Sequence, residues 1–283
     1  MDCPLPDSIK AEFRPDFVPK RRCTHAVFDF DGTLSWLRHG WPEIMADVFR
    51  PHFPKTRKSE EEIAQLLLSD ILSLNGKPSI HQMNRFQERV RERGGTCPDP
   101  KELLDEYQRR LDHAIAERSK SIRKKTVPRD HFVIHAARPL LEWLKEQGIA
   151  LIILSGTAEH RVREEAQLLD LDHYFDGHIF GSTGPDFSKR QIIERLLQHE
   201  TLPGNQLLSF GDGPVEIAET RRVGGTAIGV ASDEKINGSR KPDPIKRREL
   251  LSAGADVLIP DFRDAIPLMN WLFYSPEKSL RPE

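Results

Sequence analysis

Short apolar runs alternate with amphipathic stripes along this 283-residue chain. His25 to Phe30, Ile149 to Leu154, His178 to Phe180, Gln206 to Phe210, Thr226 to Val230 and Val257 to Ile259 read as buried strands. From Leu140 onward they are separated by helical patterns at Leu140 to Lys145, Ala158 to Leu169, Ile192 to Leu197 behind a Ser188/Gln191 cap, and Val215 to Arg222. A last helix carries Leu268, Trp271 and Leu272, with Asp261 as its expected cap. Such alternation predicts an α/β fold, with a mostly parallel, Rossmann-like sheet covered by helices on both faces.

Between the first strand and this region the period changes. A helix is expected over Pro42 to Phe49. Ser59 and Glu62 form a capping-box pattern before Ile63, Leu66, Leu67, Ile71 and Leu74, and Asn75-Gly76 ends that stripe. Ser79 and Gln82 repeat the pattern before Met83, Phe86 and Val90, up to Gly94-Gly95. Asp99-Pro100 opens a helix with Leu104, Tyr107, Leu111 and Ile115 on one face. Residues 37–133 therefore read as an all-helical unit inserted into a core made of 23–36 and 134–283. Residues 1–22, proline-rich and charged, read as a loosely structured leader or edge wrap without signal-peptide character.

Composition narrows the class. A net charge of −2 gives no reason to expect nucleic acid or membrane as a partner. Three scattered cysteines, Cys3, Cys23 and Cys97, suit a reduced, cytoplasmic protein better than a disulfide scaffold. The longest apolar run, Ile149 to Leu154, is too short to span a bilayer.

The chemistry gathers at strand ends, where ligands bind in open parallel sheets. The first strand runs into Asp29-Phe30-Asp31-Gly32-Thr33. Alternate positions in a strand share a face, and a turn at Gly32 can make both carboxylates converge. Two carboxylates that close are tolerated if a divalent cation lies between them or if one is protonated. Both conditions suit phosphoryl transfer. The next core strand ends in Ser155-Gly156-Thr157, a hydroxyl and backbone amides suited to an oxyanion at an expected helix start. The strand ending at Phe210 leads into Gly211-Asp212, with Glu216 on the following helix. Lys189 opens a helix, at the wrong end of the helix dipole unless an anion compensates it.

Asp29-Phe30-Asp31-Gly32-Thr33, then Ser155, Lys189, and Gly211-Asp212 with Glu216, resemble the four ordered motifs of the haloacid dehalogenase superfamily. The helical insert resembles that superfamily's C1-type cap, and the phosphoglycolate-phosphatase-like phosphatases are closest in look. The resemblance implies a phosphatase hydrolysing a small phosphorylated metabolite through an aspartyl-phosphate. Asp29 would be the nucleophile and Asp31 the proton carrier. Ser155, Gly156 and Lys189 would bind the phosphoryl oxygens. Mg²⁺ would be held by the side chains of Asp29 and Asp212 and the backbone carbonyl of Asp31. Glu216 stands where the family often has Asp, and its extra methylene suggests action through water or through a neighbour. Lys77, in the loop Asn75-Gly76-Lys77-Pro78, could contact a second anionic group, although a plain interhelical turn explains it as well.

A phosphomutase of the same fold and a non-catalytic phosphate-binding module are the competing readings. A dehalogenase is disfavoured by Asp31 and Asp212. Lys241-Pro242-Asp243-Pro244 reads as a rigid turn, and the basic run Arg118 to Lys125 as a solvated helix end.

Overall fold

The computed structural model describes residues 9–20, 22–75, 77–184 and 186–273. Cys3, Gly76 and most of the first nine positions of the leader lie outside the described residues. Seven strands form one sheet: β1 (Glu12–Phe13), β2 (His25–Phe28), β3 (Ala150–Ala158), β4 (Ile179–Ser182), β5 (Leu207–Gly211), β6 (Thr226–Val230) and β7 (Val257–Ile259). Their order is β1-β7-β6-β5-β2-β3-β4. Every pairing is parallel except β1 with β7, so a short piece of the leader closes one edge as an antiparallel strand.

Alternation along the strands sends side chains to two opposite cores. Ala26 and Phe28 join the large core with Leu140, Val162 and Leu268. These belong to α5 (Ala137–Glu146), α6 (Glu159–Leu168) and α10 (Ala265–Phe273). Val27 turns the other way, onto Ile193 of α7 (Lys189–His199). Ile217 of α8 (Pro214–Arg222) and Leu250 of α9 (Pro244–Ser252) continue that second layer. Phe28 stacks on Phe210 of the neighbouring strand at 4.6 Å between centroids. That aromatic pair locks β2 beside β5, directly beneath the residues that follow each strand.

Between β2 and β3 the chain builds α1 (Trp41–Phe49), α2 (Glu60–Leu72), α3 (Ile80–Arg91) and α4 (Pro100–Arg123). Their stripes meet in a common apolar centre, with Phe49 stacked on Phe86 at 4.2 Å and Met45, Met83 and Val90 fully buried. The Ser59/Glu62 capping box forms, and Asp99 caps α4 through Lys101 N–H at 2.8 Å. In the basic run Lys120, Arg123, Lys124 and Lys125 are exposed, as expected, but Arg118 is half-buried. It donates to the carbonyls of Leu37 (2.6 Å) and His39 (3.0 Å), the segment leading from β2 into the insert.

Several expectations are corrected. Ser79 makes no capping bond, its own backbone being already helical, and the Gln82 side chain turns inward and donates to the Leu74 carbonyl at 3.4 Å. Ser188 likewise makes no side-chain cap. Strand β3 does not stop at Leu154. A register shift carries it through Ser155-Gly156-Thr157 to Ala158, so this stretch is strand rather than helix start. Asp261 accepts from Arg263 N–H at 3.0 Å in the turn before α10 and does not cap that helix. Lys241 to Pro244 is more than a turn. Asp243 accepts from Ile245 and Lys246 N–H, both at 2.9 Å, with Pro244 in the first turn, and this cap starts α9. Among the described residues no helix is long and apolar enough to cross a membrane.

Candidate active site

The sheet order places the topological switch between β2 and β5: later elements build outward from β2 on one side, then from β5 on the other. Asp29 leaves β2 there, its N–H donating to the Phe210 carbonyl at 2.9 Å. Asp212 follows β5 in the equivalent place. The oxygens of Asp29, Asp212 and Glu216 come within 4.8 Å of one another, all buried.

Glycine is required where these segments cross. Gly32 has φ +76°, and a β-carbon there would collide with the Asp212 carboxylate. At Gly211 the same atom would strike the Glu216 side chain.

Lys189, only 3 % exposed, reaches into the cluster from the first turn of α7. Its Nζ lies 3.0 Å from Asp29 Oδ1 and 2.9 Å from Glu216 Oε2. Glu216 uses its other oxygen to accept from Gly213 N–H at 2.8 Å. The extra methylene thus lets Glu216 brace the lysine and tie the first turn of α8 at once. Asp29 Oδ1 also accepts from Phe30 N–H at 2.8 Å. Burial pushes the Asp29 carboxyl well above its ordinary range; Lys189 pulls it back, while Glu216, Asp212 and Asp31 push it further up. Burial would lower Lys189, but Asp29 and Glu216 outweigh it and hold the ammonium above its usual value.

A second buried lysine completes the far side. Lys246, on α9, lies 2.9 Å from Asp212 Oδ2, pairs with Glu234, and donates to Ser232 Oγ at 3.0 Å. The Asp212 contact is an ion pair without hydrogen-bond alignment, so both Asp212 oxygens are buried without a hydrogen bond. Asp29, Asp212, Glu216 and Glu234 are four carboxylates against the two ammonium groups of Lys189 and Lys246. Such a surplus of buried hard oxygens fits a divalent cation.

Asp31 points to different partners. Thr157 Oγ1 donates to its Oδ2 at 2.7 Å, and Arg38 Nε lies 3.1 Å from its Oδ1. Arg38 is buried and pairs also with Glu165 of α6. Burial drives Glu165 up to about 7 against the opposing pull of Arg38. Ser155 is buried, its Oγ accepting from Thr157 N–H at 3.1 Å.

A cavity of about 190 Å³ opens over these groups. Asp29, Asp31, Ser155 and Gly156 form its floor, and Asn75, Lys77, Gln82 and Tyr107 line it from the helical insert. Asn75 Nδ2 donates to the Asp212 carbonyl at 3.3 Å, joining the loop between α2 and α3 to the β5 end. Lys77 lines the cavity from an exposed position.

All of Asp29, Asp31, Ser155, Gly156, Lys189, Asp212 and Glu216 therefore meet at one end of the sheet. Arg38, Glu165, Glu234 and Lys246 were not expected there, and Thr157, expected at the strand end, was given no role toward Asp31. Thr157 continues the strand that carries Ser155.

A family model described as haloacid dehalogenase-like hydrolase matches residues 23–224. No curated protein matches the sequence. Solved structures share the fold. A haloacid dehalogenase-like protein of unknown function from Agrobacterium tumefaciens superposes with a TM-score of 0.62 at 18 % identity, covering 87 % of this chain and 97 % of its own. A predicted phosphoglycolate phosphatase from Haemophilus somnus gives 0.58 at 16 % identity, covering 87 % and 98 %. A candidate β-phosphoglucomutase from Thermotoga maritima gives 0.51 at 18 % identity, covering 91 % and 99 %.

Proposed function

The chain belongs to the haloacid dehalogenase-like hydrolases, and from that premise we propose that it is a Mg²⁺-dependent phosphatase acting on a small phosphomonoester. The observation that carries this reading is the buried ion pair between Lys189 and Asp29, set against Asp212 at the switch point of the sheet. A carboxylate that must attack phosphorus has to be ionised; burial opposes that, and Lys189 is the neighbour that pulls Asp29 toward the ionised form.

In the proposed sequence a carboxylate oxygen of Asp29 forms a bond to phosphorus as the bond to the ester oxygen breaks. Asp31 gives its proton to the departing oxygen. Asp31 then takes a proton from water, whose oxygen attacks phosphorus and returns Asp29 as a carboxylate. Thr157 and Arg38 aim the Asp31 carboxyl during both steps. Ser155 Oγ, the backbone at Gly156 and the Lys189 ammonium hold the phosphoryl oxygens. The Asp29 and Asp212 side chains and the Asp31 carbonyl would hold Mg²⁺, which neutralises phosphate charge when bound. Glu216 acts through Lys189 and the α8 turn. The α1–α4 insert, about residues 37–133, acts as a cap that keeps bulk water out.

Purified protein is expected to release phosphate from an aryl phosphate with Mg²⁺, and to stop when the metal is chelated. Asp29→Asn is expected to lose at least about 1,000-fold in kcat while keeping its circular dichroism spectrum. Phosphate release by Asp29→Asn at the wild-type rate would remove Asp29 as nucleophile.

A further inference from the structure

Lys189 and Lys246 are the two buried lysines among the described residues. The transfer proposed above uses Lys189 and gives Lys246 no part. Lys246 Nζ meets Asp212 Oδ2 at 2.9 Å, the Glu234 carboxylate, and Ser232 Oγ at 3.0 Å. An ammonium carries three protons, and here it finds three oxygens. Those partners are fixed in turn. Glu234 Oε2 accepts from Gly40 N–H at 3.3 Å, and Ser232 Oγ donates to the Gly32 carbonyl at 2.5 Å. Lys246 is therefore anchored beside Asp212.

That anchoring decides how Asp212 can meet a cation. Oδ2 faces the ammonium, while Oδ1 is buried and unpartnered. A cation that took both oxygens would have to share Oδ2 with a fixed positive charge, which repels it. Asp212 is thus restricted to one oxygen. Its neighbours are restricted too. Glu216 engages both oxygens, with Lys189 and with Gly213 N–H, and Asp29 Oδ1 faces Lys189 and Phe30 N–H. Ca²⁺ gathers about six to eight oxygens and readily takes both from one carboxylate. Mg²⁺ demands an octahedron and keeps several waters beside one or two carboxylates. A set of single oxygens suits the smaller ion.

We propose that Lys246 is a positioning residue for the cation site: by holding Oδ2 it limits Asp212 to a one-oxygen ligand, and so turns the site toward Mg²⁺ and away from Ca²⁺. This rests on the Mg²⁺-dependent reading above and adds the residue that sets the choice of cation.

Calorimetric titration of the metal-free full chain with Mg²⁺ alone and with Ca²⁺ alone, without substrate, tests it. Wild-type protein is expected to bind Mg²⁺ at least as tightly as Ca²⁺. Lys246→Met removes a positive charge, which strengthens binding of both ions by a common factor because their charges are equal. Freeing Oδ2 adds a gain for Ca²⁺ alone, so the ratio of Ca²⁺ to Mg²⁺ affinity is expected to rise about tenfold. Lys246→Met combined with Glu234→Gln keeps the net charge of the site and should show the same rise; it replaces the single variant if that one fails to fold. If neither folds, the wild-type order of affinities decides. Tighter binding of Ca²⁺ than of Mg²⁺ by wild-type protein, or a ratio unchanged in a folded variant, overturns the assignment, while phosphate release with Mg²⁺ keeps the phosphatase reading intact. Wild-type protein that binds neither ion defeats the Mg²⁺-dependent reading first, and this proposal with it.

Discussion

Asp29 and Asp31 lie two positions apart, yet their surroundings differ. Asp29 is buried against a lysine, whereas Asp31 is held by a hydroxyl and a guanidinium. The hydroxyl contact can be tested alone. Thr157→Val keeps the branched shape and removes the donor to Asp31, so kcat is expected to fall about tenfold to a hundredfold with little change in melting temperature. Unchanged kcat would mean that Thr157 does not orient Asp31. Glu165, behind Arg38, makes a pH-dependent contribution. Its folded value of about 7 lies above the ordinary 4.5. Between those values the folded chain holds a proton that the unfolded chain has released. Stability is therefore expected to fall as pH rises through that window. Urea unfolding across the range should show a flatter profile for Glu165→Gln, and an identical slope in the two proteins would exclude Glu165 as the source. The paired aspartates were readable from sequence because alternation and a turn suffice to bring them together. Arg38 was not, since its partner Glu165 comes from a helix after the whole insert.

At the scale of elements, the unexpected helix α9 brings a buried lysine to the site. The first turn of α9 is dense with charge, Lys246, Arg247 and Arg248, and resembles a solvated segment after a proline-rich turn. Only the tertiary fold brings Lys246 between Asp212 and Glu234. Removing one partner of a buried ionic group leaves uncompensated charge, so Lys246→Met is expected to cost about 3–5 kcal/mol of stability. Glu234→Gln in the same chain should recover part of that loss. Denaturant unfolding measures both, and a cost below about 1 kcal/mol for the single variant would show that the pair is dispensable. Strand β3 carries a related lesson. Ser155-Gly156-Thr157 reads locally as a helix start, but pairing with β4 resumes at Ala158 after a register shift and keeps the stretch extended. The α2 capping box and the α4 cap were legible because both depend on neighbours within one turn.

For the whole molecule, the alternation of strands and helices was enough to indicate the parallel sheet, because each element buries its own apolar face. The antiparallel β1 edge was not legible, since two residues carry no periodicity. The site is a product of topology. Strand order puts the ends of β2, β3 and β5 side by side, and α1–α4 arrive over them from an insertion after β2. Contacts that join the layers at this end include Asn75 on the Asp212 carbonyl, Arg161 with Asp112, and Arg248 with Ser69. The cavity is lined by both parts. The central claim is that a phosphoryl group rests on Asp29 and leaves only with help from Asp31. Asp31→Asn, mixed with Mg²⁺ and an aryl phosphate whose phenol needs no proton to depart, tests it most directly. The account expects a burst of one phenolate per chain and a stable phosphoryl adduct that peptide mass spectrometry places on Asp29. Steady turnover without an adduct, or an adduct on another residue, would contradict it.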